Sequence, residues 1–269
     1  MKICLLGDSK RHEAFSNLLK ERKVNYLRYY RYNDIPDTVD TDVLVFPIPT
    51  MKNGRLNIEG SPSGILPEDI IRRTQRKVLA VTCNYSIDNS NFCDLSARDD
   101  FAYLNAVPTA EGAVRLAINC SDKSISEQKI MITGFGRVGK ILADRLRGLG
   151  CDVTVSARSL KDLYYAKALN LRILPLSEMP EYAADFDLVF QTIPTEVLNE
   201  KRLQSFGKHC KIIELSSAMR GTDLNYAKAK GIEVIDGTGL PETTAPVTAG
   251  KIWAETVLRI IKEGGNADE

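Results

Sequence analysis

The sequence predicts an α/β protein of two doubly wound parallel-sheet domains, with a C-terminal helix packing back on the first. Three observations predict it. The apolar run Ile130-Met131-Ile132 enters Gly134-x-Gly136-x-x-Gly139, and a 3.6-residue pattern of Val138, Ile141, Leu142, Leu146 and Leu149 follows, so the stretch reads as strand, glycine turn and helix. Short apolar runs alternate with helical patterns along most of the chain, as βαβ units require. Beyond the last such run, a segment carrying Ile252, Val257, Leu258, Ile260 and Ile261 has an apolar face that a completed sheet does not cover.

Taken in order, residues 2–6 read as a strand, and Gly7-Asp8-Ser9 as a turn capping a helix with Ala14, Phe15, Leu18 and Leu19 on its apolar face. Val24–Leu27 and Val43–Phe46 supply the second and third strands, the latter closed by Pro47 and Pro49. The first turn lacks the full glycine fingerprint, so residues 1–120 are expected to form a flavodoxin-like domain that carries no dinucleotide. Residues 47–67 read as a long punctuated loop with a hairpin at Asn53-Gly54, and Lys77–Val81 resumes the sheet. Pro108-Thr109-Ala110-Glu111-Gly112 is expected to open a connecting helix that runs to about Cys120, with Thr109 as its N-cap.

Residues 121–245 then read as a six-stranded Rossmann domain. Its strands are the run before Gly134, Val153–Ser156, Leu171–Leu174, Asp187–Phe190, Lys211–Leu215 and Ile232–Ile235. Asn199 starts one helix, and Thr222 or Asp223 caps another. The helix over 246–263 completes the first domain, which gives two crossings between domains and a cleft between them.

In the glycine motif, Gly134 permits the tight turn, Gly136 lets the backbone approach a pyrophosphate, and Gly139 brings helix and strand together. The helix N-terminus at Arg137, Val138 and Gly139 faces the phosphates. A site for an unphosphorylated adenosine ribose places Asp or Glu at the end of the next strand. Here that place reads Ser156-Ala157-Arg158-Ser159. A guanidinium grips a 2′-phosphate that an acid would repel, and the two serines can donate to it, so the expected cofactor is NADP. Ligands of doubly wound sheets bind at the carboxyl ends of the strands, which puts Thr192, Ile193 and Pro194 with Leu215 and Ser216 along the nicotinamide half.

Composition narrows the class further. The 269 residues are 43% hydrophobic and 26% charged, as in globular proteins, and 36 basic against 35 acidic residues leave a formal charge of +1. No general field for nucleic acid or membrane results, no apolar run suits a membrane span, and a cytoplasmic location is expected. Six cysteines without a CxxC pair read as free thiols. His12 and His209 are the only histidines, so neither a metal site nor a Ser-His-Asp triad is expected.

The order of these segments resembles the family of the dipicolinate synthase A protein of spore-forming bacteria. The resemblance rests on Gly7-Asp8, Arg98-Asp99-Asp100, Pro108–Gly112, Gly134–Gly139, Ala157-Arg158-Ser159, Thr192-Ile193-Pro194, Gly221-Thr222-Asp223, Gly239-Leu240-Pro241, Ala245-Pro246 and Thr248-Ala249-Gly250. More distantly, the layout is similar to alanine dehydrogenases and 2-hydroxyacid dehydrogenases. The chain departs from the family's pattern at Ala218-Met219-Arg220-Gly221, at Glu242 and at Val247.

The resemblance implies an NADP-binding oxidoreductase subunit of dipicolinate synthase. With the synthase's second, flavoprotein-like subunit, it would oxidise a dihydrodipicolinate-type ring to pyridine-2,6-dicarboxylate during sporulation; a homo-oligomer is also expected. For such a dicarboxylate, Arg98 and Arg220 are the candidate cations, Thr109 at a helix N-terminus a candidate donor, and Glu111 the candidate general base. Arg98 has an alternative role as an ion-pair partner of Asp99 or Asp100. Two alternatives to the activity stand: a non-catalytic cofactor-sensing or scaffold subunit, and a diverged NADP-dependent oxidoreductase for another small carboxylate.

Overall fold

The computed structural model describes residues 1–88, 91–216 and 221–265. Two compact units divide it: residues 1–105 with 245–269, and residues 106–244.

In the first unit, strands β1 (Lys2–Leu6), β2 (Asn25–Tyr29) and β3 (Val43–Val45) are followed by the hairpin β4 (Met51–Lys52) and β5 (Arg55–Leu56), then by β6 (Leu79–Thr82) and β7 (Phe92–Asp94). Five strands form one parallel sheet in the order β2-β1-β3-β6-β7, the flavodoxin-like winding. Helix α1 (Lys10–Glu21) starts at Ser9, whose hydroxyl accepts from the His12 N–H as the capping pattern requires. Its apolar face, Phe15, Leu18 and Leu19, packs with Ile3, Leu5 and Val45 and with Trp253, Ala254 and Val257 of the C-terminal helix. That helix therefore buries its apolar stripe on this unit, as its pattern demands.

The Asn53-Gly54 hairpin forms with both residues at positive φ, 52° and 73°. The expected long loop is more structured than its punctuation suggests. Leu56 and Ile58 are buried under the sheet with Ile70 of the short helix α2 (Pro67–Ile71).

Helix α3 (Asp99–Asn119) corrects the sequence reading. It begins nine residues before Pro108, which lies inside it, and the division between the units falls within it after Asn105. Proline removes one N–H from a helix interior. The carbonyl that loses its partner belongs to Leu104, an exposed residue, while Ala106, Ala110, Ala113 and Ala117 bury one face. Thr109 and Glu111 consequently sit in mid-helix, away from any N-terminus.

The second unit begins with β8 (Lys129–Thr133), α4 (Arg137–Gly148), β9 (Asp152–Ala157), α5 (Leu160–Ala168) and β10 (Arg172–Pro175). Its second half is α6 (Met179–Tyr182), β11 (Leu188–Gln191), α7 (Glu200–Leu203), β12 (Lys211–Glu214), α8 (Leu224–Lys230), β13 (Glu233–Asp236) and α9 (Leu240–Thr244). Asn199 caps α7 and Asp223 caps α8. The strand order β10-β9-β8-β11-β12-β13 is the full Rossmann order, 3-2-1-4-5-6. Alternate residues feed two cores: Ile130, Ile132, Phe190 and Ile213 pack with α3 and α4, while Met131, Val189 and Ile212 pack with α6 to α8. The stretch after Gly239 contains α9. The last helix, α10, spans Pro246–Gly265. No helix among the described residues is long and apolar enough to cross a membrane.

Candidate cofactor and active site

Gly134 turns out of β8 at φ +88°, a left-handed conformation that excludes most side chains. A Cβ there would meet Thr192 Oγ1 at 2.7 Å and Ile193 Cγ1 at 2.8 Å, so this glycine also lets the loop after β11 close over the turn. A Cβ on Gly139 would strike the Gly134 carbonyl. Gly136 is different: nothing lies within 4 Å of where its Cβ would be. It caps α4 without any side-chain hydrogen bond, and the first intrahelical bond is Lys140 N–H to the Gly136 carbonyl at 3.0 Å. The N–H groups of Arg137, Val138 and Gly139 belong to the first turn, which has no carbonyl of its own helix to use. An exposed glycine before an uncapped helix end is what a pyrophosphate needs.

At the end of β9 the four-residue Ser156–Ser159 segment divides. Ser156 is wholly buried beside Thr133, its hydroxyl has no partner among the described residues, and its carbonyl accepts from the Gly134 N–H at 2.8 Å. Strand alternation turns its side chain into the sheet face, so the expected contact of its hydroxyl with a 2′-phosphate is corrected: Ser156 supports the turn through its carbonyl instead. Ala157 is buried too. Arg158 and Ser159 are exposed. The Ser159 hydroxyl accepts from the Asp162 N–H at 3.3 Å as the cap of α5 and keeps its own hydrogen to donate. Arg158 makes no hydrogen bond or ion pair with another described residue.

On the other side of β8, strand register lines up a row of polar side chains. Ser156 stands beside Thr133, Thr133 beside Gln191, Gln191 beside Glu214, and Glu214 beside Asp236. The first four are fully buried. Gln191 Oε1 accepts from the Thr133 hydroxyl and, at 3.1 Å, from the Ile193 N–H, while Nε2 donates to the Ile193 carbonyl at 3.3 Å. The Thr192 hydroxyl donates to the Thr133 carbonyl at 2.7 Å. Glu214 accepts three hydrogen bonds, from the Ser216 N–H at 3.1 Å and from the Ser216 and Thr222 hydroxyls at 2.7 Å each. Gln191 and Glu214 were not singled out from the sequence, because a polar residue closing a strand reads as ordinary turn chemistry. Leu215 is buried in the core, and its N–H donates to the Gln191 carbonyl at 2.8 Å. Pro194 is exposed, with Thr192 and Ile193 half-buried beside it.

The candidate catalytic residues do not converge. Glu111 is exposed on α3, 3.8 Å from the Arg145 guanidinium and beside a groove of about 540 Å³ lined by Val114, Asp144, Arg145 and Leu149. Arg145 lies eight residues along α4 from Arg137, roughly 12 Å from the phosphate-facing end. Glu111 is thus held away from that turn, which removes the geometric basis for its role as base. Arg98 grips Asp100 at 2.8 Å and Glu263 at 2.8 Å, the second of them 165 residues away in sequence. Those carboxylates raise its pKa further, and its role is that of an ion-pair partner rather than a free cation for a substrate. Arg220 lies outside the described residues, as does Ser217 of the same loop.

All six cysteines are free, and burial pushes the thiols of Cys4, Cys83 and Cys210 up to about 12, so they stay protonated and inert.

Comparison with known proteins gives this geometry a context. Residues 107–222 match the family model described as "D-isomer specific 2-hydroxyacid dehydrogenase, NAD binding domain". The chain is 36% identical over 169 residues to the dipicolinate synthase A protein of Bacillus subtilis (strain 168), a match covering 63% of this chain and 57% of that relative. The resemblance to the dipicolinate synthase A protein is borne out. The crystal structure of the dipicolinate synthase A protein from Bacillus subtilis superposes with a TM-score of 0.82 at 28% identity, covering 100% of this chain and 98% of the other. That of its counterpart from Bacillus halodurans does so with a TM-score of 0.82 at 25% identity, covering 96% and 97%. The second unit is therefore a nicotinamide-cofactor domain of dehydrogenase type, on the fold read from the sequence.

Proposed function

We propose that this chain is the NADP-binding subunit of a dipicolinate-forming oxidoreductase, working with a flavoprotein-like partner in the cytoplasm of a sporulating cell. The observation that carries the cofactor choice is Arg158. It is an exposed guanidinium with no protein partner among the described residues, at the strand end where a ribose 2′-substituent lies in this fold. NADP supplies hydride transfer when bound. The chain's own residues hold it: first-turn N–H groups at Arg137 to Gly139 on the pyrophosphate, Arg158 and Ser159 on the 2′-phosphate, and Thr192 to Pro194 along the nicotinamide half. Oxidising a dihydropyridine to an aromatic ring is strongly downhill, so positioning the ring and removing a proton are the protein's main tasks.

One observation favours a second reading, a protein that binds the cofactor without turning it over. Glu111, the candidate base, faces Arg145 in mid-helix rather than the glycine turn. A single assay separates the two. The chain, alone and with its flavoprotein partner, is incubated with a dihydrodipicolinate precursor and NADP while pyridine product is followed by absorbance. Product from the pair supports the synthase reading, and nicotinamide reduction by the chain alone removes the sensing one. No product from a well-folded pair contradicts the assignment.

A further inference from the structure

Thr133 and Gln191 end the adjacent strands β8 and β11 as register partners, and both side chains are fully buried. Together they fasten the loop that follows β11. Gln191 Oε1 accepts from the Thr133 hydroxyl and, at 3.1 Å, from the Ile193 N–H, while Gln191 Nε2 donates to the Ile193 carbonyl at 3.3 Å. The Thr133 carbonyl accepts from the Thr192 hydroxyl at 2.7 Å and from the Thr192 N–H at 3.2 Å. So held, Thr192 Oγ1 and Ile193 Cγ1 lie 2.7 and 2.8 Å from the place that a Cβ on Gly134 would take. The loop therefore rests directly on the glycine turn, at a height set by one buried amide.

A side-chain amide offers an acceptor and a donor in one plane, so it can pair with both backbone groups of a single residue. Thr192 and Ile193 are half-buried and Pro194 is exposed. With an apolar residue in place of Gln191, this loop could lift slightly and give its N–H and carbonyl to water. The buried amide carries a desolvation cost that such a loop avoids, and what it secures is a fixed loop height. We propose that Gln191 is a positioning residue for the cofactor, holding the nicotinamide loop Thr192–Pro194 against the pyrophosphate turn so that one dinucleotide meets both at once. This inference rests on the cofactor reading above. It predicts a division within one ligand: the adenosine half, held at Gly136 and Arg158, does not depend on Gln191, and the nicotinamide half does.

The test uses the full chain and two probes, NADPH and 2′-phospho-ADP-ribose, which is the same molecule without nicotinamide. Gln191→Leu removes the acceptor and the donor at similar volume, and Thr133→Val removes one hydroxyl at constant shape. NADPH is expected to weaken roughly tenfold in Gln191→Leu and about fivefold in Thr133→Val, while 2′-phospho-ADP-ribose binds within about twofold of wild type in both. The fluorescence of saturating NADPH, which reports the surroundings of the nicotinamide alone, should move toward that of the free cofactor in Gln191→Leu. Gln191→Glu is expected to recover most of the loss, because a carboxyl buried beside Glu214 takes up a proton and then accepts and donates as the amide does. Retained binding of the fragment shows that a variant is folded, and Thr133→Val carries the test where Gln191→Leu is not. Equal weakening of both probes, or undiminished NADPH affinity, in the variant that folds overturns the proposal. Failure of the cofactor reading looks different, since wild type itself would then bind neither NADPH nor NADH. Where wild type favours NADH, the division is read with NADH and ADP-ribose.

Discussion

The chain contains the same local device twice, a strand that turns through a glycine at positive φ into a helix beside the point where the strand order reverses, and it treats the two copies in opposite ways. After β1, Gly7 stands at φ +111°, and the space where its Cβ would lie is filled by the His12 ring, 2.7 Å away, and by Pro47. Ser9 caps α1, and Arg28 donates to the Gly7 carbonyl at 3.2 Å and to Asp8 at 2.7 Å. After β8, Gly134 stands at φ +88°, but the next glycine is exposed, the helix is uncapped by any side chain, and the cation at the neighbouring strand end has no partner among the described residues. Parallel topology supplies a ligand-ready helix end in both units. Side chains decide whether the protein fills it itself or leaves it open.

The largest effect that sharpens this contrast is a pH dependence belonging to the closed turn alone. Burial, reinforced by Arg28 and Arg11, lowers the His12 pKa from 6.5 to about 3. The unfolded chain therefore binds a proton that the folded one refuses between those values. The stabilisation is complete above about pH 6.5 and is lost as pH falls toward 3, by up to about 1.4 kcal/mol per pH unit. Trp253, the chain's single tryptophan, packs against His12 at 5.0 Å between ring centroids, so its fluorescence reports this unit. Urea unfolding followed by that signal from pH 7 to 4.5 should show the slope in wild type and a flatter one in His12→Gln. Equal slopes would mean that His12 titrates as freely as in the unfolded chain.

Next in size is Gly7→Ala. The new methyl must enter both a left-handed backbone and a buried ring, a cost of about 1 to 3 kcal/mol in unfolding free energy. Gly136→Ala should behave in the opposite way, changing stability by less than about 0.5 kcal/mol. Its methyl instead lies where the pyrophosphate approaches, so NADPH affinity should fall about tenfold or more. A Gly7→Ala protein as stable as wild type, or a Gly136→Ala protein that binds normally, would erase the distinction between the turns.

Much of this was legible before the structure because it is local. The glycine spacing, the caps at Ser9, Asn199 and Asp223 and the Asn53-Gly54 turn each depend on a few consecutive residues, and strand periodicity needs only a handful more. What could not be read depends on residues distant in sequence. Pro108 is a helix breaker by local rules, but the alanines around it are buried and Leu104, whose carbonyl it leaves unpaired, is an exposed residue of a continuous α3. Arg98 offered Asp99 or Asp100 as neighbours, but Glu263 completes its ion pairs. Ser156 and Arg158 are two positions apart, and strand alternation does not apply past the strand end, where the chain leaves the sheet and exposes the cation while the hydroxyl stays buried. Gln191 and Glu214 become neighbours only when β11 and β12 pair.

The most direct measurement of the central claim, that the open turn of the second unit is an NADP site, is a titration of wild type and Arg158→Ala with NADPH and NADH. Charge-assisted hydrogen bonds to a 2′-phosphate contribute about 1.5 to 3 kcal/mol. Wild type is expected to prefer NADPH, and Arg158→Ala to weaken NADPH roughly ten- to a hundredfold while NADH binding is nearly unchanged. Equal affinity of wild type for the two cofactors, or equal losses of both in the variant, would contradict the claim and leave Arg158 as a solvated surface charge.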